Sequence, residues 1–367
     1  MDSALDIKVI LVVSAVAVAA IISAAATRLV RRLALGRGFV DRPGGHKAHT
    51  APVALGGGIA VVLAIILPIA GGTLAARAFV LDCPAWFPTM LAPHLDGIVS
   101  KAPAALGIIA AATAMCVLGV IDDRRPIGPG VKLAVQVAIA GLLVGVLDLR
   151  LLSHLPWPVS GTLSILWILV LTNSLNFLDN MDGLAAGVAI IAAAVFGITA
   201  QLSGQLFVPV CCWLLVGALA GFLPYNIHPA SVFLGDAGSL VIGMLLGVFT
   251  ILTTFADPLQ GQRPIGIVAP LVVMAVPLYD TLSVVLIRWR SGDPVWAGDR
   301  RHFSHRLARR GMGVRTAVLV VWLATLVTAL PALLLPKADW TLACGIMVQT
   351  LLVVLLVALL ESSGSPE

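Results

Sequence analysis

Eleven apolar runs dominate this sequence and leave few folds open to it. Each is close to the 17 to 25 residues that an α-helix needs to cross a bilayer. The runs cover 8–27, 52–72, 104–121, 132–148, 159–178, 183–201, 206–225, 238–256, 265–287, 314–335 and 340–360. Only 11% of the residues are charged, against about 25% in soluble domains. The sequence therefore predicts an all-α, polytopic membrane bundle of about eleven transmembrane helices, forming one domain over residues 1–367.

The first run also resembles a secretory signal, because the alanines at 24–26 look like a cleavage site. Its flanking charges argue against that interpretation. Asp2 and Asp6 precede the run and three arginines follow it, which is the reverse of the charge order in a signal peptide. We therefore predict a retained helix whose N-terminus lies outside the cytoplasm.

The basic residues predict which side of the membrane each loop faces. With the N-terminus outside, 17 of the 23 Lys and Arg residues fall in cytoplasmic loops and their helix borders, and 6 fall in outer ones. This bias satisfies the positive-inside rule and leaves the C-terminus in the cytoplasm. It also accounts for the formal net charge of +5, so no nucleic-acid partner is expected.

Each unusual polar cluster falls in a loop assigned to the cytoplasm, so five distant segments can form one site on that face. The first segment, 41–49, is rich in glycine and contains Lys47 and His49. Cations and backbone amides freed by glycine suit a phosphate. The alternative is an ordinary basic membrane border.

The second cluster ends the third apolar run. Asp122 and Asp123 are adjacent carboxylates, which repel one another unless a cation lies beside them. Lys132 follows after a short turn of proline and glycine. A magnesium ion would relieve the repulsion. The alternative is that both carboxylates simply face water at a helix end.

The third cluster places Asn173, Asn176, Asp179 and Asp182 at intervals of three, followed by Gly183. On an α-helix a step of three falls about 60° short of a full turn, so one straight helix cannot aim all four side chains at one point. We predict that the two asparagines end a buried helix. The two aspartates then belong to a turn and to the start of the next helix.

The fourth cluster is a single aspartate, Asp236, between Gly235 and Gly238 at the start of an apolar run. A helix N-terminus presents free amides at such a position. The glycines would let a ligand approach the backbone closely. The alternative is that Asp236 caps its own helix.

The fifth cluster follows the ninth run, which contains Pro277 and Asp280. A proline in a membrane helix frees backbone groups that need local partners, so we expect this helix to break near Pro277. Asp280 should face protein or water instead of lipid. The next loop carries His302, His305 and Arg306, which suit a diphosphate better than a transition metal because no further His, Cys or Glu stands nearby. A plain basic loop is the alternative.

Together these motifs resemble those of the polyprenyl-phosphate N-acetylhexosamine-1-phosphate transferases, integral membrane enzymes that move a sugar 1-phosphate from a UDP-sugar to a lipid phosphate. The resemblance covers almost the whole chain, from Asp41 to Leu307 with the flanking helices. It implies a multi-pass protein of the bacterial inner membrane with its active site facing the cytoplasm. It also implies a UDP-sugar and undecaprenyl phosphate as substrates, and a homodimer is compatible with it.

The resemblance further implies roles for individual residues. The catalytic candidates are Asp122, Asp123, Asp179 and Asp182. Asp236, with Asp182, would bind Mg²⁺, for which Mn²⁺ could substitute. The substrate-binding candidates are Lys47, His49, Lys132, Asn173, Asn176, His302, His305 and Arg306.

Three residues depart from the pattern of the family. Asn180 replaces a usual glycine, which Asn can do because it tolerates a positive φ angle. His46 stands where arginine is common. Ser304 replaces a further histidine, which predicts a weaker hold on the pyrophosphate. The form His-x-x-His-Arg-Leu looks more like the branch that uses UDP-N-acetylglucosamine than the branch that uses UDP-N-acetylmuramoyl-pentapeptide, which typically carries consecutive histidines.

Two other classes of protein deserve comparison. An ion-coupled secondary transporter also carries intramembrane aspartates and broken helices. The two halves of this chain show no repeat, however, and the polar residues cluster at one predicted membrane face instead of the midplane. A lipid-binding scaffold without activity would not need paired aspartates together with Asp236.

Overall fold

The computed structural model describes residues 2–42, 51–257, 259, 261–294 and 301–362, and the all-α class is confirmed. Helices α1 to α7 are Asp2–Arg37, Gly57–Leu81, Leu95–Ser100, Ala102–Arg124, Pro129–Leu147, Trp157–Leu178 and Leu184–Leu202. Helices α8 to α14 are Phe207–Asn226, Asp236–Leu252, Ala269–Val273, Ala275–Ser291, Phe303–Arg309, Val314–Ala332 and Trp340–Ser362. Short 3₁₀ helices cover Ala92–His94, Pro264–Val268 and Leu335–Lys337.

Each of the eleven apolar runs coincides with helical structure. Within the described residues, nine helices are long and apolar enough to cross a membrane, and the bent segment Pro264–Ser291 makes ten if it is counted as one span. The remaining run, 238–256, corresponds to α9, which has only 17 residues and is shorter than the counted spans. The chain is a multi-pass membrane protein, while the orientation of its termini stays a prediction.

The predicted break in the ninth run is confirmed, but it lies nearer the N-terminus than expected. The segments Pro264–Val273 and Ala275–Ser291 meet at Met274 with a bend of 63°. Pro277 lies in the first turn of α11, where a missing amide N–H costs no intrahelical hydrogen bond. The proline therefore fits the start of the second helix instead of interrupting one.

Helix α9 lies at the centre of the bundle. Nearly all of its residues are buried, and it packs against α2, α4 and α6. A Cβ atom on Gly243 would lie 2.5 Å from the Leu171 carbonyl oxygen of α6. Small residues allow such close approach between membrane helices. This packing fixes where the first turn of α9 lies.

A small antiparallel ribbon holds the entry to α9 in place. It pairs β1 (Val40–Asp41) with β2 (Val53–Ala54). The Phe233 amide donates to the Ala54 carbonyl at 2.9 Å, and the Gly57 amide at the start of α2 donates to the Phe233 carbonyl at 3.0 Å. The segment leading to Asp236 is therefore anchored on both the ribbon and α2.

Candidate active site

Three helix ends meet at one place in this fold. Helix α4 ends with Asp122 and Asp123, α6 ends just after Asn176, and α9 begins at Asp236. Residues far apart in the sequence thus come together where backbone groups at helix ends need partners. Most of the predicted carboxylates lie here.

Asp123 caps α9 from outside that helix. Its Oδ1 accepts from the Asp236 amide at 2.9 Å, and its Oδ2 accepts from the Ala237 amide at 3.2 Å. The Gly238 and Ser239 amides both donate to the Gly235 carbonyl at 3.0 Å. The prediction that the first turn of α9 presents free amides is therefore wrong, because all four amides have partners within the protein.

Gly235 and Gly238 allow other parts of this protein to approach the backbone near Asp236 closely. A Cβ atom on Gly235, whose φ is +70°, would lie 2.6 Å from the Asp123 Oδ2 atom. One on Gly238 would lie 2.7 Å from the Gly58 Cα atom of α2. The groups that approach the backbone closely are therefore parts of this protein, and the glycines permit helix packing.

Lys132 joins two of the carboxylates. Its Nζ donates to Asp122 Oδ2 at 2.9 Å and also contacts Asp236 Oδ2. The other oxygen of Asp122 accepts from the Ile127 amide at 2.7 Å. The exposed fractions of the Asp122 and Lys132 side chains are only 14% and 16%. The alternative that the aspartate pair simply faces water is therefore wrong.

Asn176 orients the remaining oxygen of Asp236. Its Nδ2 donates to Asp236 Oδ1 at 2.7 Å and to Ser239 Oγ at 2.9 Å. The side chain of Asp236 does not cap its own helix, so the capping alternative is also wrong. Asp236 instead lies between an ammonium group and an amide, with 26% of its side chain exposed.

Asp179 shares this crowded environment. Loss of hydration, followed by the charges of Asp236, Asp123 and Asp182, holds the pKa of the Asp179 carboxyl well above its usual range, and the Gly235 amide only partly offsets this. A carboxylate among like charges gains from a neighbouring cation, which favours its ionised form. Burial and the neighbouring carboxylates therefore favour the neutral form of the Asp179 carboxyl.

Asp182 faces a different partner. Its Oδ2 lies 2.8 Å from His228 Nδ1 and accepts from the Ala230 amide at 3.0 Å. The predicted division of the third cluster is confirmed, since α6 ends at Leu178 and α7 begins at Leu184 with both aspartates between them. His228 lies in no motif found in the sequence, and only its spatial position reveals it.

The two asparagines do different work. Asn173 lies one turn before Asn176, and its Nδ2 donates to Gln136 Oε1 of α5 at 2.7 Å and to the Leu169 carbonyl at 2.8 Å. Gln136 is buried and was not singled out in the sequence. The contact braces α5 against α6, and substrate binding by Asn173 stays a prediction.

The histidine segment, which carries His302 and His305, is hydrogen-bonded to α11. His302 is the N-cap of α12, and its Nδ1 lies 2.8 Å from Asp280 Oδ2, while the Phe303 amide donates to Asp280 Oδ1 at 2.9 Å. Asp280 is fully buried, which confirms that it faces protein. His302 is only 5% exposed, whereas His305 is partly exposed. His305 is therefore the more accessible of the two to a diphosphate.

Arg306 is committed to the C-terminal helix. Its Nε and Nη2 donate to Glu361 Oε2 at 3.0 and 2.8 Å. Nη2 also donates to Ser283 Oγ at 3.0 Å. The other Glu361 oxygen accepts from the Tyr279 hydroxyl at 2.5 Å. These contacts position the histidine segment, and direct substrate binding by Arg306 stays a prediction.

Two residues that depart from the family pattern contact each other. Ser304 Oγ donates to Asn180 Oδ1 at 2.6 Å, and Asn180 Nδ2 donates to the Phe177 carbonyl at 2.8 Å. Asn180 does not have the expected positive φ, which belongs to Gly183 in this turn. The two positions thus link the aspartate turn, which carries Asp179 and Asp182 between α6 and α7, to the histidine segment. Lys47, His49 and His46 lie outside the described residues.

The donor set limits which metal this site could hold. Among the described residues, no three His, Cys, Asp or Glu side chains are arranged to hold an ion by themselves. Mg²⁺ needs less, because it binds through one or two carboxylates together with waters and substrate phosphates. The oxygens of Asp122, Asp179 and Asp236 are of the type that Mg²⁺ prefers. The residues therefore fit a magnesium ion that is shared with a phosphate.

Comparison with known proteins identifies relatives over most of the chain. The sequence pattern of glycosyl transferase family 4 matches residues 105–254. A decaprenyl-phosphate N-acetylglucosaminephosphotransferase of Mycolicibacterium smegmatis is 32% identical, covering 94% of this chain and 87% of that protein. A probable undecaprenyl-phosphate N-acetylglucosaminyl 1-phosphate transferase of Bacillus subtilis is 27% identical, covering 98% and 94%. The undecaprenyl-phosphate alpha-N-acetylglucosaminyl 1-phosphate transferase of Escherichia coli K12 is 27% identical, covering 82% and 77%.

Proposed function

Because this chain belongs to glycosyl transferase family 4, we propose that it transfers N-acetylglucosamine 1-phosphate from a UDP-sugar to undecaprenyl phosphate. The products are UMP and a lipid diphosphate sugar, which initiates synthesis of a cell-envelope glycopolymer. One observation carries the proposal: the ends of α4, α6 and α9 gather the carboxylates in a chain whose relatives are named for this reaction.

We infer that the transferred sugar is N-acetylglucosamine. The relatives from Bacillus, Mycolicibacterium and Escherichia are all named for N-acetylglucosamine. These names favour that sugar over N-acetylmuramoyl-pentapeptide, as does the spacing of His302 and His305. A panel of UDP-sugars tested for UMP release would decide between them, and faster release from the muramoyl substrate would reverse the assignment.

The main obstacle to this reaction is charge. A lipid phosphate oxygen must attack the β-phosphorus of the UDP-sugar, so two anions approach one another next to several carboxylates. Catalysis of phosphoryl transfer depends mostly on positioning and on cations that neutralise the developing charge. Lys132 supplies one such cation between Asp122 and Asp236.

We propose that Mg²⁺ supplies the remaining positive charge, held by Asp236 with Asp122 or Asp179, while Asp182, whose Oδ2 contacts His228 and the Ala230 amide, is a further candidate. When bound, the ion would neutralise phosphate oxygens as they approach. Asn176 keeps one Asp236 oxygen oriented, and Lys132 holds the other.

No general base is needed for the attack. A phosphate monoester has a second pKa near ~6, so the lipid phosphate is already largely dianionic at neutral pH. Asp123 is poorly placed for such a role, because both of its oxygens already accept from the first turn of α9. We therefore assign Asp123 to positioning of Asp236.

The decisive experiment is Asp236→Asn, assayed as UMP release in detergent with Mg²⁺, UDP-N-acetylglucosamine and undecaprenyl phosphate. We expect a loss of at least about 100-fold, the usual effect of removing one group that stabilises the transition state. Asp96→Asn is the matched control. Asp96 is exposed in α3, which precedes the N-terminal end of α4, whereas Asp122 and Asp123 lie at the C-terminal end of that helix. Normal turnover by Asp236→Asn would refute the assignment.

Magnesium needs its own readout. A chelator should stop turnover reversibly, and added Mg²⁺ should raise the melting temperature of the wild-type protein in the presence of UDP-sugar but not that of Asp236→Asn. Equal shifts for the two proteins would remove Asp236 from the metal site without contradicting the transferase function.

The cytoplasmic location of the site is proposed from the distribution of basic residues. Reporter domains fused after the C-terminus distinguish the two sides of the bacterial inner membrane. A reporter enzyme that works only in the periplasm should be inactive when fused after the C-terminus. Activity of that fusion would contradict the orientation and would mean that the site lies on the outer face.

A further inference from the structure

A basic cavity lies at the last turns of α1. Its lining residues differ from those of the carboxylate cluster, which consists of Asp122, Asp123, Asp179 and Asp236. The cavity has a volume of about 250 Å³ and is lined by Arg28, Arg31, Arg32, Leu35 and Tyr225. The first four residues belong to α1 and Tyr225 belongs to the last turn of α8. The proposed transfer reaction uses none of these side chains.

Within the part of the chain that the structure describes, the arginines of this cavity have no acidic partner. The three arginines are exposed, and among the described residues none of them forms an ion pair. Arg28 Nε donates to the Tyr225 hydroxyl at 2.7 Å, which fixes that guanidinium group without neutralising it. Like charges three and four residues apart on a helix repel one another. An anion in the cavity would compensate them, and a guanidinium group binds phosphate well because its N–H groups match two oxygens.

Apolar side chains surround the arginines on the same helix. Leu29, Leu33 and Leu35 are 58%, 44% and 49% exposed. They continue the apolar run of α1 into the basic segment, so the cavity lies where a membrane helix passes from the acyl region to the headgroups. A ligand with a charged head and an apolar tail fits this boundary better than a free ion.

We propose that this cavity binds the phosphate headgroup of an anionic membrane phospholipid. The cavity is connected to the aspartate turn through α8. Tyr225 lines the cavity, and the next residue, Asn226, accepts a hydrogen bond from the Gly183 amide at 3.0 Å through its Oδ1 atom. A bound headgroup thus holds the end of α8 next to the turn that carries Asp182. The binding is additional to the proposed transfer and does not depend on it.

The test measures lipid binding to the full-length protein in detergent by native mass spectrometry. The probes are phosphatidylglycerol, phosphatidylcholine, undecaprenyl phosphate and inorganic phosphate. The test variant is Arg31→Gln/Arg32→Gln, which leaves the Arg28–Tyr225 contact in place. The matched control is Arg37→Gln/Arg290→Gln, which removes two exposed arginines outside the cavity.

An arginine near an anionic membrane surface contributes about 1 kcal/mol, or about fivefold in affinity. We therefore expect the test variant to bind phosphatidylglycerol about 25-fold more weakly than wild type, with the control close to wild type. Thermal unfolding should be unchanged in both, since the substituted side chains are exposed.

Four results would overturn the proposal. They are equal losses in the two double variants, equal binding of phosphatidylcholine and phosphatidylglycerol by wild type, binding of inorganic phosphate without the lipid, and arginine-dependent binding of undecaprenyl phosphate alone. The first would indicate diffuse attraction to charge. The third would indicate a site for a free phosphate, and the last a site for the lipid substrate.

Discussion

Gly119 sets the distance between α4 and α9 at the carboxylate cluster. A Cβ atom at this position would lie 2.3 Å from the Ala237 amide nitrogen and 2.4 Å from the Asp236 carbonyl oxygen. Both contacts are with backbone, which cannot rotate away as a side chain can. Gly119→Ala must therefore move one helix relative to the other.

The size of that movement follows from the contact distances. Ordinary contacts of a Cβ atom begin at 3.4 Å, so the two helix ends must separate by about 1 Å. The 2.9 Å hydrogen bond from the Asp236 amide to Asp123 would then stretch beyond the normal range. A displacement of about 1 Å at reacting groups can cost about 100-fold in rate. We expect kcat to fall by about that factor.

Gly141→Ala is the matched control. Gly141 lies inside α5, and a Cβ atom there would meet nothing within 4 Å. Both substitutions raise helix propensity by about 1 kcal/mol, so this contribution is the same in the two variants. Overpacking costs about 1 to 3 kcal/mol, so Gly119→Ala should remain folded but melt below Gly141→Ala.

The assay compares UMP release by the two variants, together with elution from a sizing column and thermal unfolding in detergent. The result that would refute the reasoning is a folded Gly119→Ala protein whose turnover lies within about threefold of Gly141→Ala. The distance between α4 and α9 would then have no part in catalysis, and the alignment of Asp123 with Asp236 would be only structural.

Three further predictions concern the contacts around the cluster. Ser304→Ala and Asn180→Ala should each raise KM for the UDP-sugar about three- to tenfold, as expected for one hydrogen bond, and the double variant should be no worse than either single one; additive losses would contradict a shared contact. Glu361→Gln weakens the ion pair with Arg306 and should lower the free energy of unfolding by about 1 to 3 kcal/mol, and an unchanged denaturation midpoint would contradict this. Lys132→Met should lower kcat about 100-fold while Lys132→Arg retains part of the activity, and equal activities in the two variants would show that the charge is not needed.

The helices could be predicted because a bilayer allows a spanning chain few other structures. The geometry of a three-residue interval also predicted, correctly, that Asn173 and Asn176 end one helix and that Asp179 and Asp182 follow it before the next. The repulsion between Asp122 and Asp123 predicted a cation beside them. The structure places Lys132 against Asp122, and a magnesium ion in the same place stays a proposal.

Contacts between distant segments could not be predicted in the same way. Ser304 and Asn180 are 124 positions apart, and neither has a neighbour that indicates the other. His302 and its partner Asp280 are 22 positions apart, and Asp280 lies in the helix that follows the bend at Met274. The bend itself was expected from Pro277, but a proline is also well suited to the first turn of a helix, so the sequence alone misplaced it by a few residues.

The capping of α9 decides how this site can hold phosphate. A helix N-terminus ordinarily offers free amides and a partial positive charge to an anion. Here the Asp236 and Ala237 amides donate to Asp123, and the Gly238 and Ser239 amides donate to Gly235. A substrate phosphate therefore cannot bind this helix end without displacing Asp123. Side-chain cations, or a metal ion held by the carboxylates, have to offset the charge of that phosphate. Carboxylates suit a reaction between two anions in this way, because they can hold the cation that both anions need.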